Sequence, residues 1–451
     1  MTESLEQWLS REYRHAATAM LRSISPRDLV KERVGFAQSV RPVAGSIVAS
    51  PVLASWDPDP DYFFHWFRDS AIVIDAVRVL FEAGHLGAEA LIHFVDFVRF
   101  TLSLRALDGR TLVAAPQWRT KVQPEFVQYL RGDDLLLVHG DAVYADVRVN
   151  ADGTLDISRW TRPQHDGAPL RALAVLRWLR TLLREPSGSS LSVSADALAD
   201  TERLLRNDLA LTAAHWREAS LDIWEEELGH HYYTLRVSAA ALHEGAQWLL
   251  GAGEATSAAA LRAEAQTARE ALEQYWVPAE GYYRSRIMPP GAVSAKMLDI
   301  AVILAAVHCG HGDELHSARD ERMHATLNKL ERLFDGLYPI NRQRPASRAP
   351  AMGRYEGDTY FSGGAYYFST LGAAQFCFLA AASRARGSEA RAKWVAHGDE
   401  FLETVRAFTP PSGDLSEQFD QRTGEQTSAK HLAWSYAALI TCAAARRAVL
   451  P

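Results

Sequence analysis

Two acidic stretches in this chain have the residue types for acid–base chemistry. The first is Leu221-Asp222-Ile223-Trp224-Glu225-Glu226-Glu227-Leu228-Gly229, where three consecutive glutamates follow a tryptophan. A carboxyl group held against an indole loses hydration, which favours its protonated form and suits it to donate a proton near neutrality. The alternative is a hydrated turn, and the run alone does not decide between them. The second is Ser416-Glu417-Gln418-Phe419-Asp420. Two carboxylates on separate loops are what hydrolysis of a glycosidic bond requires, one to protonate the leaving oxygen and one to activate water. Glu225 and Glu417 are the candidates. Glu425 rivals Glu417, but it stands where it would cap the last helix.

The elements that must carry these loops are helical. Apolar residues recur at helical spacing from about 4–23, 69–82 and 86–106, then at about 168–184, 196–215, 233–251, 254–276, 294–309, 316–334, 364–386, 389–408 and 428–449. That predicts about twelve helices. Trp216-Arg217-Glu218 reads as a helix ending, so the glutamate run falls in a loop between two of them. The stretch 110–160 breaks the pattern. Residues 111–113 and 135–138 read as extended, and 144–157 as a hairpin around Asn150-Ala151-Asp152-Gly153. Helices of similar length joined as hairpins can close into two concentric layers, the inner ones apolar on most faces. The expected fold is an all-α (α/α)6 barrel with a small β excursion around 110–160. No Pro- or Gly-rich linker divides the chain, so residues 1–451 are expected to be one catalytic domain.

Composition narrows the function. The chain has 451 residues, 48% hydrophobic and 23% charged, with a net charge of −7, which argues against a nucleic-acid surface. Three cysteines in apolar helical context read as buried free thiols rather than a disulfide framework. The first residues do not read as a signal peptide, and no apolar run is long enough to span a bilayer, so a cytoplasmic protein with no membrane partner is expected. His230-His231 and His308-Cys309-Gly310-His311 do not supply three or four ligands at recognised spacing, so no metal is expected.

Polar and aromatic clusters precede five of the candidate inner helices: Asp61-Tyr62-Phe63-Phe64-His65-Trp66-Phe67-Arg68-Asp69-Ser70, Trp160 to Gly167, Trp224-Glu225-Glu226, Gly353 to Tyr360, and Ser416 to Asp420. Alternating inner and outer helices would bring all five to one end. Singly, each aromatic is explained by core packing, and Asp69 and Asp166 by helix capping. Together, Tyr62, Trp66, Trp160, Trp224, Tyr360 and Trp434 with interleaved arginines and carboxylates suit a sugar, whose faces stack on rings and whose hydroxyls take charged partners.

These motifs resemble the glucoamylases, family 15 of the glycoside hydrolases, in an intracellular bacterial form. The likeness runs from about Val48 to Ala445. It rests on Asp61-Tyr62-Phe63, Trp66 and Arg68-Asp69-Ser70; on Arg162-Pro163-Gln164 with Asp166-Gly167; on Asp222-Ile223-Trp224-Glu225-Glu226; on Gly353-Arg354-Tyr355 with Asp358-Thr359-Tyr360; and on Ser416 to Asp420 with Gly424-Glu425-Gln426 and Trp434-Ser435-Tyr436. The resemblance implies an inverting exo-hydrolase without cofactor that releases β-glucose from α-1,4-linked gluco-oligosaccharides. Glu225 would be the general acid and Glu417 the general base. Tyr62 would orient Glu417 and its water. Arg68, Asp69 and Arg354 would hold the terminal sugar between Trp66 and Trp434, with Trp160 and Glu226 toward the leaving group. Gly363-Gly364-Ala365-Tyr366 stands where the family often has Asn-Pro-Trp, and a Glu-Pro-Lys-Phe run usual before Trp160 is missing. With no starch-binding domain expected, these departures point to a small oligosaccharide. They leave α-1,6 hydrolysis and trehalase activity as alternatives. A non-catalytic regulatory barrel is the reading of another class, and retention of both glutamates argues against it.

Overall fold

Alanine, leucine and arginine lose little on entering a helix and fill the periodic segments. In the computed structural model, which describes residues 3–55, 58–184, 193–310 and 315–450, those segments are helical. They are α1 (Leu5–Leu21), α2 (Phe67–Glu82), α3 (Ala88–Ser103), the short α4 (Gly109–Ala114), α5 (Gly167–Arg184), α6 (Ala195–His215), α7 (Tyr232–Gly251), α8 (Ala255–Leu272), α9 (Ala301–Cys309), α10 (Glu321–Leu337), α11 (Tyr367–Ala382), α12 (Glu389–Phe408) and α13 (Ala433–Val449). Apart from α4, each matches an expected helix. Ser194, Asp320 and Ser388 cap α6, α10 and α12 by accepting from backbone amides of the first turn, as short polar side chains do. The α9 helix starts later than its composition suggests. Met297 instead accepts the amide of Ser285, and Asp299 accepts the Ala301 amide at 2.8 Å while pairing with Arg286 at 2.7 Å.

Contacts partition the chain into two compact units. One comprises Leu21–Glu227 and Ala241–Glu264; the other comprises Met1–Met20, Leu228–Ala240 and Ala265–Pro451. In the first, α2 packs on α3 and α5, and α6 on α3 and α5. The face of α5 against α6 carries Arg171, paired with Asp208 at 2.6 Å with both side chains wholly buried. In the second unit, α11 packs on α9, α12 and α13 and is buried on nearly every face. Glycines permit that closeness: a Cβ on Gly372 would lie 2.4 Å from Leu304 Cδ2, and one on Gly398 2.5 Å from the Phe378 ring.

The stretch 110–160 departs from expectation. Residues 111–113 lie in α4 rather than a strand, and 135–137 belong to the 3-10 turn Asp133–Leu137, which ends before Val138. Short apolar runs do not distinguish strand from helix by periodicity, and here their packing decides. Asp108 caps α4, and Leu135 packs with Tyr144, Val149 and Leu155. The hairpin is reduced to a turn, closed by Asn150 N–H to the Thr154 carbonyl at 2.9 Å and one bridge between Val149 and Leu155. The β structure that forms is the two-residue pair His65–Trp66 with Arg148–Val149.

Candidate active site

The first unit builds a cluster around Glu225. Its foundation is Asp222, which is buried and shapes the acidic run into a turn. Asp222 Oδ1 accepts the amides of Trp224 (2.9 Å) and Glu226 (3.0 Å), its carbonyl accepts that of Glu225 (2.9 Å), and its own amide donates to the Glu227 carbonyl. Gln164 Nε2 donates to the Asp222 carbonyl at 2.9 Å, tying the turn to the segment before α5. The turn forces Glu225 to φ +65°, a left-handed conformation that costs a non-glycine residue about 1 kcal/mol. Thr161 Oγ1 holds it there through the Glu225 carbonyl at 2.8 Å.

So presented, the Glu225 carboxylate meets donors from two other segments. Trp66 Nε1 donates to Oε1 at 3.0 Å, Arg68 Nη2 to the same oxygen at 3.0 Å, and Trp160 Nε1 to Oε2. The two indoles meet the carboxylate with their N–H edges rather than their faces. Their rings pack edge to face at 6.1 Å, and Tyr62 leans on Trp66 at 5.3 Å. Behind them, the buried Arg148 guanidinium lies 4.5 Å from the Trp66 ring and 3.9 Å from that of Trp160, and pairs with Asp156 at 2.8 Å. Each ring is thus backed by a paired, stationary cation.

Arg68 is shared by three carboxylates: Glu225 at 3.0 Å, Asp166 at 3.3 Å and Asp69 at 3.6 Å. One cation does not balance three buried acids. Burial pushes Asp69 up to about 6; Arg68 opposes this, while Glu225 and Asp166 reinforce it. Asp166 is also raised, again by burial first. Asp69 is no helix cap, since α2 begins two residues earlier, and its Oδ2 is buried yet accepts no hydrogen bond from a described residue. A carboxylate oxygen in that condition suits a ligand hydroxyl.

The second unit builds a cluster around Glu417. Ala365–Tyr366, Gln418–Phe419 and Gln426–Thr427 form a small antiparallel sheet, with Glu417 at its edge. Glu417 N–H donates to the Ala429 carbonyl at 2.8 Å, and the Ser428 hydroxyl donates to Oε2. Ser428, at φ +64°, is held in a left-handed conformation to do so. In the strand that follows Glu417, a separate network runs from Gln418 Nε2 to the Tyr366 hydroxyl (2.8 Å), from that hydroxyl to Asp358 Oδ2 (3.1 Å), and from Arg354 Nε to the same oxygen (2.7 Å). The Tyr360 carbonyl accepts from Gln418 at 3.2 Å, and Trp434 stacks on Phe368 at 4.3 Å. A Cβ on Gly364 would lie 2.4 Å from the Phe419 carbonyl oxygen, so a glycine is required where the chain departs from the Asn-Pro-Trp pattern.

Of the expected site residues, the structure joins Tyr62, Trp66, Arg68, Asp69, Trp160 and Glu225 in one cluster. It links Arg354 and Tyr360 to the strand that follows Glu417. Trp224 is half-buried and Glu226 exposed; both are fixed through backbone amides to Asp222. Sequence reasoning assigned no role to Asp222, Arg148, Asp156, Asp358, Tyr366 or Ser428. Their side chains are buried, and they act through hydrogen bonds and ion pairs of the folded loops, which periodicity does not register.

A mostly helical chain that surrounds a carboxylate with indole N–H groups, a shared guanidinium and a hydroxyl-ready aspartate has the equipment of a sugar-processing enzyme. The sequence profile described as "Glycosyl hydrolases family 15" matches residues 27–95 and 147–444, and the chain belongs to that family. It is 27% identical over 478 residues to the "Probable glucoamylase" of Schizosaccharomyces pombe, across 99% of this chain and 93% of that relative. The solved glucoamylase of Saccharomycopsis fibuligera superposes with TM-score 0.77 at 20% identity, over 99% of this chain and 96% of that one. The family 15 glucoamylase of Hypocrea jecorina gives TM-score 0.77 at 22% identity, over 99% and 73%. The fold is therefore the family's (α/α)6 barrel, and the chain is a glycoside hydrolase of the glucoamylase-like, exo-acting glucosidase class. The profile skips residues 96–146, which include the segments 111–113 and 135–138 that departed from expectation. Among the described residues, no helix is long and apolar enough to cross a membrane.

Proposed function

We propose that the protein removes single glucose units from the non-reducing ends of α-1,4-linked gluco-oligosaccharides with inversion, using Glu225 as general acid and Glu417 as general base. Glu225 gives its proton to the glycosidic oxygen as the C1–O bond breaks. Glu417 takes a proton from water, whose oxygen attacks C1 from the opposite face and leaves β-glucose. The observation that carries this reading is the setting of Glu225, held by Trp66, Arg68 and Trp160. Donors already aimed at the carboxylate favour the charge it acquires as the proton leaves, without reorganisation in the transition state. Asp69 Oδ2 and Arg68 clamp hydroxyls of the terminal sugar, and Arg354 adds a further clamp. Tyr62, Trp66 and Trp434 supply ring faces, and Tyr360 serves the same sugar. Trp160, Trp224 and Glu226 serve the leaving group. Ser428 keeps Glu417 oriented as an acceptor.

We further propose that residues 1–451 act as one catalytic domain on small oligosaccharides in the cytoplasm. The three free, buried cysteines support a reducing compartment. The departure at Gly363 to Tyr366 keeps α-1,6 links and trehalose as alternative substrates. The test is product analysis on maltose, isomaltose and trehalose, with and without phosphate. Release of β-glucose, seen by proton NMR before mutarotation, supports the mechanism, and the preferred disaccharide fixes the linkage. Initial release of α-glucose, or of a sugar phosphate alone, refutes it.

A further inference from the structure

Outside the Glu225 cluster, the first unit gathers a second set of titratable side chains. His165 lies just before α5, His215 closes α6, and Glu218 follows within a turn. Each offers one ligand atom, and these atoms lie within 4.8 Å of one another. Glu218 Oε2 is 3.0 Å from His215 Nδ1 and 3.5 Å from His165 Nε2. Two atoms bound tetrahedrally to one zinc at about 2.0–2.1 Å stand about 3.4 Å apart, close to both separations.

The nitrogens are otherwise unused. The His165 side chain is only 10% exposed, yet neither ring nitrogen hydrogen-bonds to a described residue, and neither does His215 Nδ1. Buried polar atoms in that condition are rare and call for a partner. Burial, then His215, holds His165 at about 4, so its ring is neutral at physiological pH and offers a lone pair. The two rings lie nearly parallel, 11° apart with centroids 5.1 Å apart. Sharing an ion therefore requires His215, the more exposed ring, to rotate about χ2.

We propose that His165, His215 and Glu218 form a binding site for a zinc-like divalent cation, with water completing the coordination. Two imidazoles and one carboxylate are a donor set that zinc accepts and that magnesium and calcium, which prefer oxygen, do not. The His230-His231 and His308-Cys309-Gly310-His311 runs draw attention in the sequence because their members are adjacent; His311 lies outside the described residues. The proposed ligands come from two separate segments. The site stands at the foot of the Glu225 turn. His165 N–H donates to Ser220 Oγ at 3.2 Å, Leu221 N–H to the Pro163 carbonyl at 2.9 Å, and Gln164 reaches the Asp222 carbonyl. A bound cation would staple the end of α6 to the 163–165 segment and stabilise the two strands of chain that support the turn. It would take no part in the reaction.

The experiment uses the full chain, stripped with EDTA and titrated with zinc chloride in a calorimeter. The expected result is one zinc per chain, bound at least about tenfold more tightly than by His165→Gln or His215→Gln. Saturating zinc should raise Tm by a few degrees in the parent and not in the variants, since binding to the native state alone stabilises it. Cobalt chloride should give the intense visible absorption of a four- or five-coordinate site, lost in Glu218→Gln. Magnesium chloride should do neither. The metal-free Tm and far-UV circular dichroism of each variant show that it is folded; should His165→Gln not fold, the two more exposed positions decide. Absence of stoichiometric binding, or equal affinity in His215→Gln and Glu218→Gln, overturns the proposal.

Discussion

Replacing Asp69 with asparagine should make the protein more stable and less active. Asp69 shares Arg68 with two other carboxylates, and burial pushes it up to about 6 from its ordinary value of 3.8. Between these values the folded protein binds more protons than the unfolded chain, so stability falls as pH rises through the window. At 1.36 kcal/mol for each pH unit of difference, the folded state bears up to about 3 kcal/mol at pH 7.5 for keeping Asp69 ionised. The Asp69→Asn change preserves the shape and removes the charge. The expected gain is on the order of 1–3 kcal/mol at pH 7.5, reduced because Arg68 loses an attractive partner. It should shrink to roughly a third at pH 4.5, where the wild-type carboxyl is largely protonated. Denaturant melts of both proteins at the two pH values measure this directly. Turnover on maltose should fall, since the amide cannot offer the same charged acceptor to a sugar hydroxyl. An Asp69→Asn protein no more stable than wild type at pH 7.5, or equally stabilised at both pH values, would refute the view that Asp69 is a strained charge retained for ligand binding.

Glu225→Gln and Glu417→Gln should each lower kcat at least about a hundredfold, with the fold intact by circular dichroism; full activity in either reassigns the role. Ser428→Ala removes the hydrogen bond to Glu417 and should lower kcat/KM by about tenfold or more, given about 1.5–3 kcal/mol for a bond to a charged group. Ser428→Gly, which suits the φ of +64° better, should be more stable than the alanine variant yet no more active, as melts and kinetics on the same preparations would show. Asp208→Ala leaves Arg171 buried and unpaired and should destabilise the first unit by about 3–5 kcal/mol, read as a lower denaturation midpoint.

The helices were legible because their signal is local. An amphipathic repeat declares itself within a dozen residues, and α2, α5, α12 and α13 begin and end within a few residues of where periodicity sets them. The 110–160 stretch was not, because Leu112 and Leu135 are placed by packing partners distant in sequence. The same contrast divides the acidic run. Residue types single out Glu225, but nothing in Asp222-Ile223-Trp224-Glu225-Glu226 marks the first acid as structural. Its role depends on two amides that converge on one oxygen only after the turn has formed. The partners of Glu225 lie farther off. Trp66, Arg68 and Trp160 reach it from other segments, at sequence separations of 159, 157 and 65 residues. From sequence, Trp224, the indole next to Glu225 in the chain, is expected to act as an apolar wall that strips water from the acid. The structure adds two indoles from other segments, Trp66 and Trp160, which present N–H groups and act as hydrogen-bond donors to the carboxylate. An indole-to-phenyl change at Trp66 or Trp160 would separate these roles, since it keeps a ring face and deletes the donor. If the donors stabilise charge on Glu225 as its proton leaves, kcat falls while KM stays nearly constant; if the rings act only as platforms, KM carries the change.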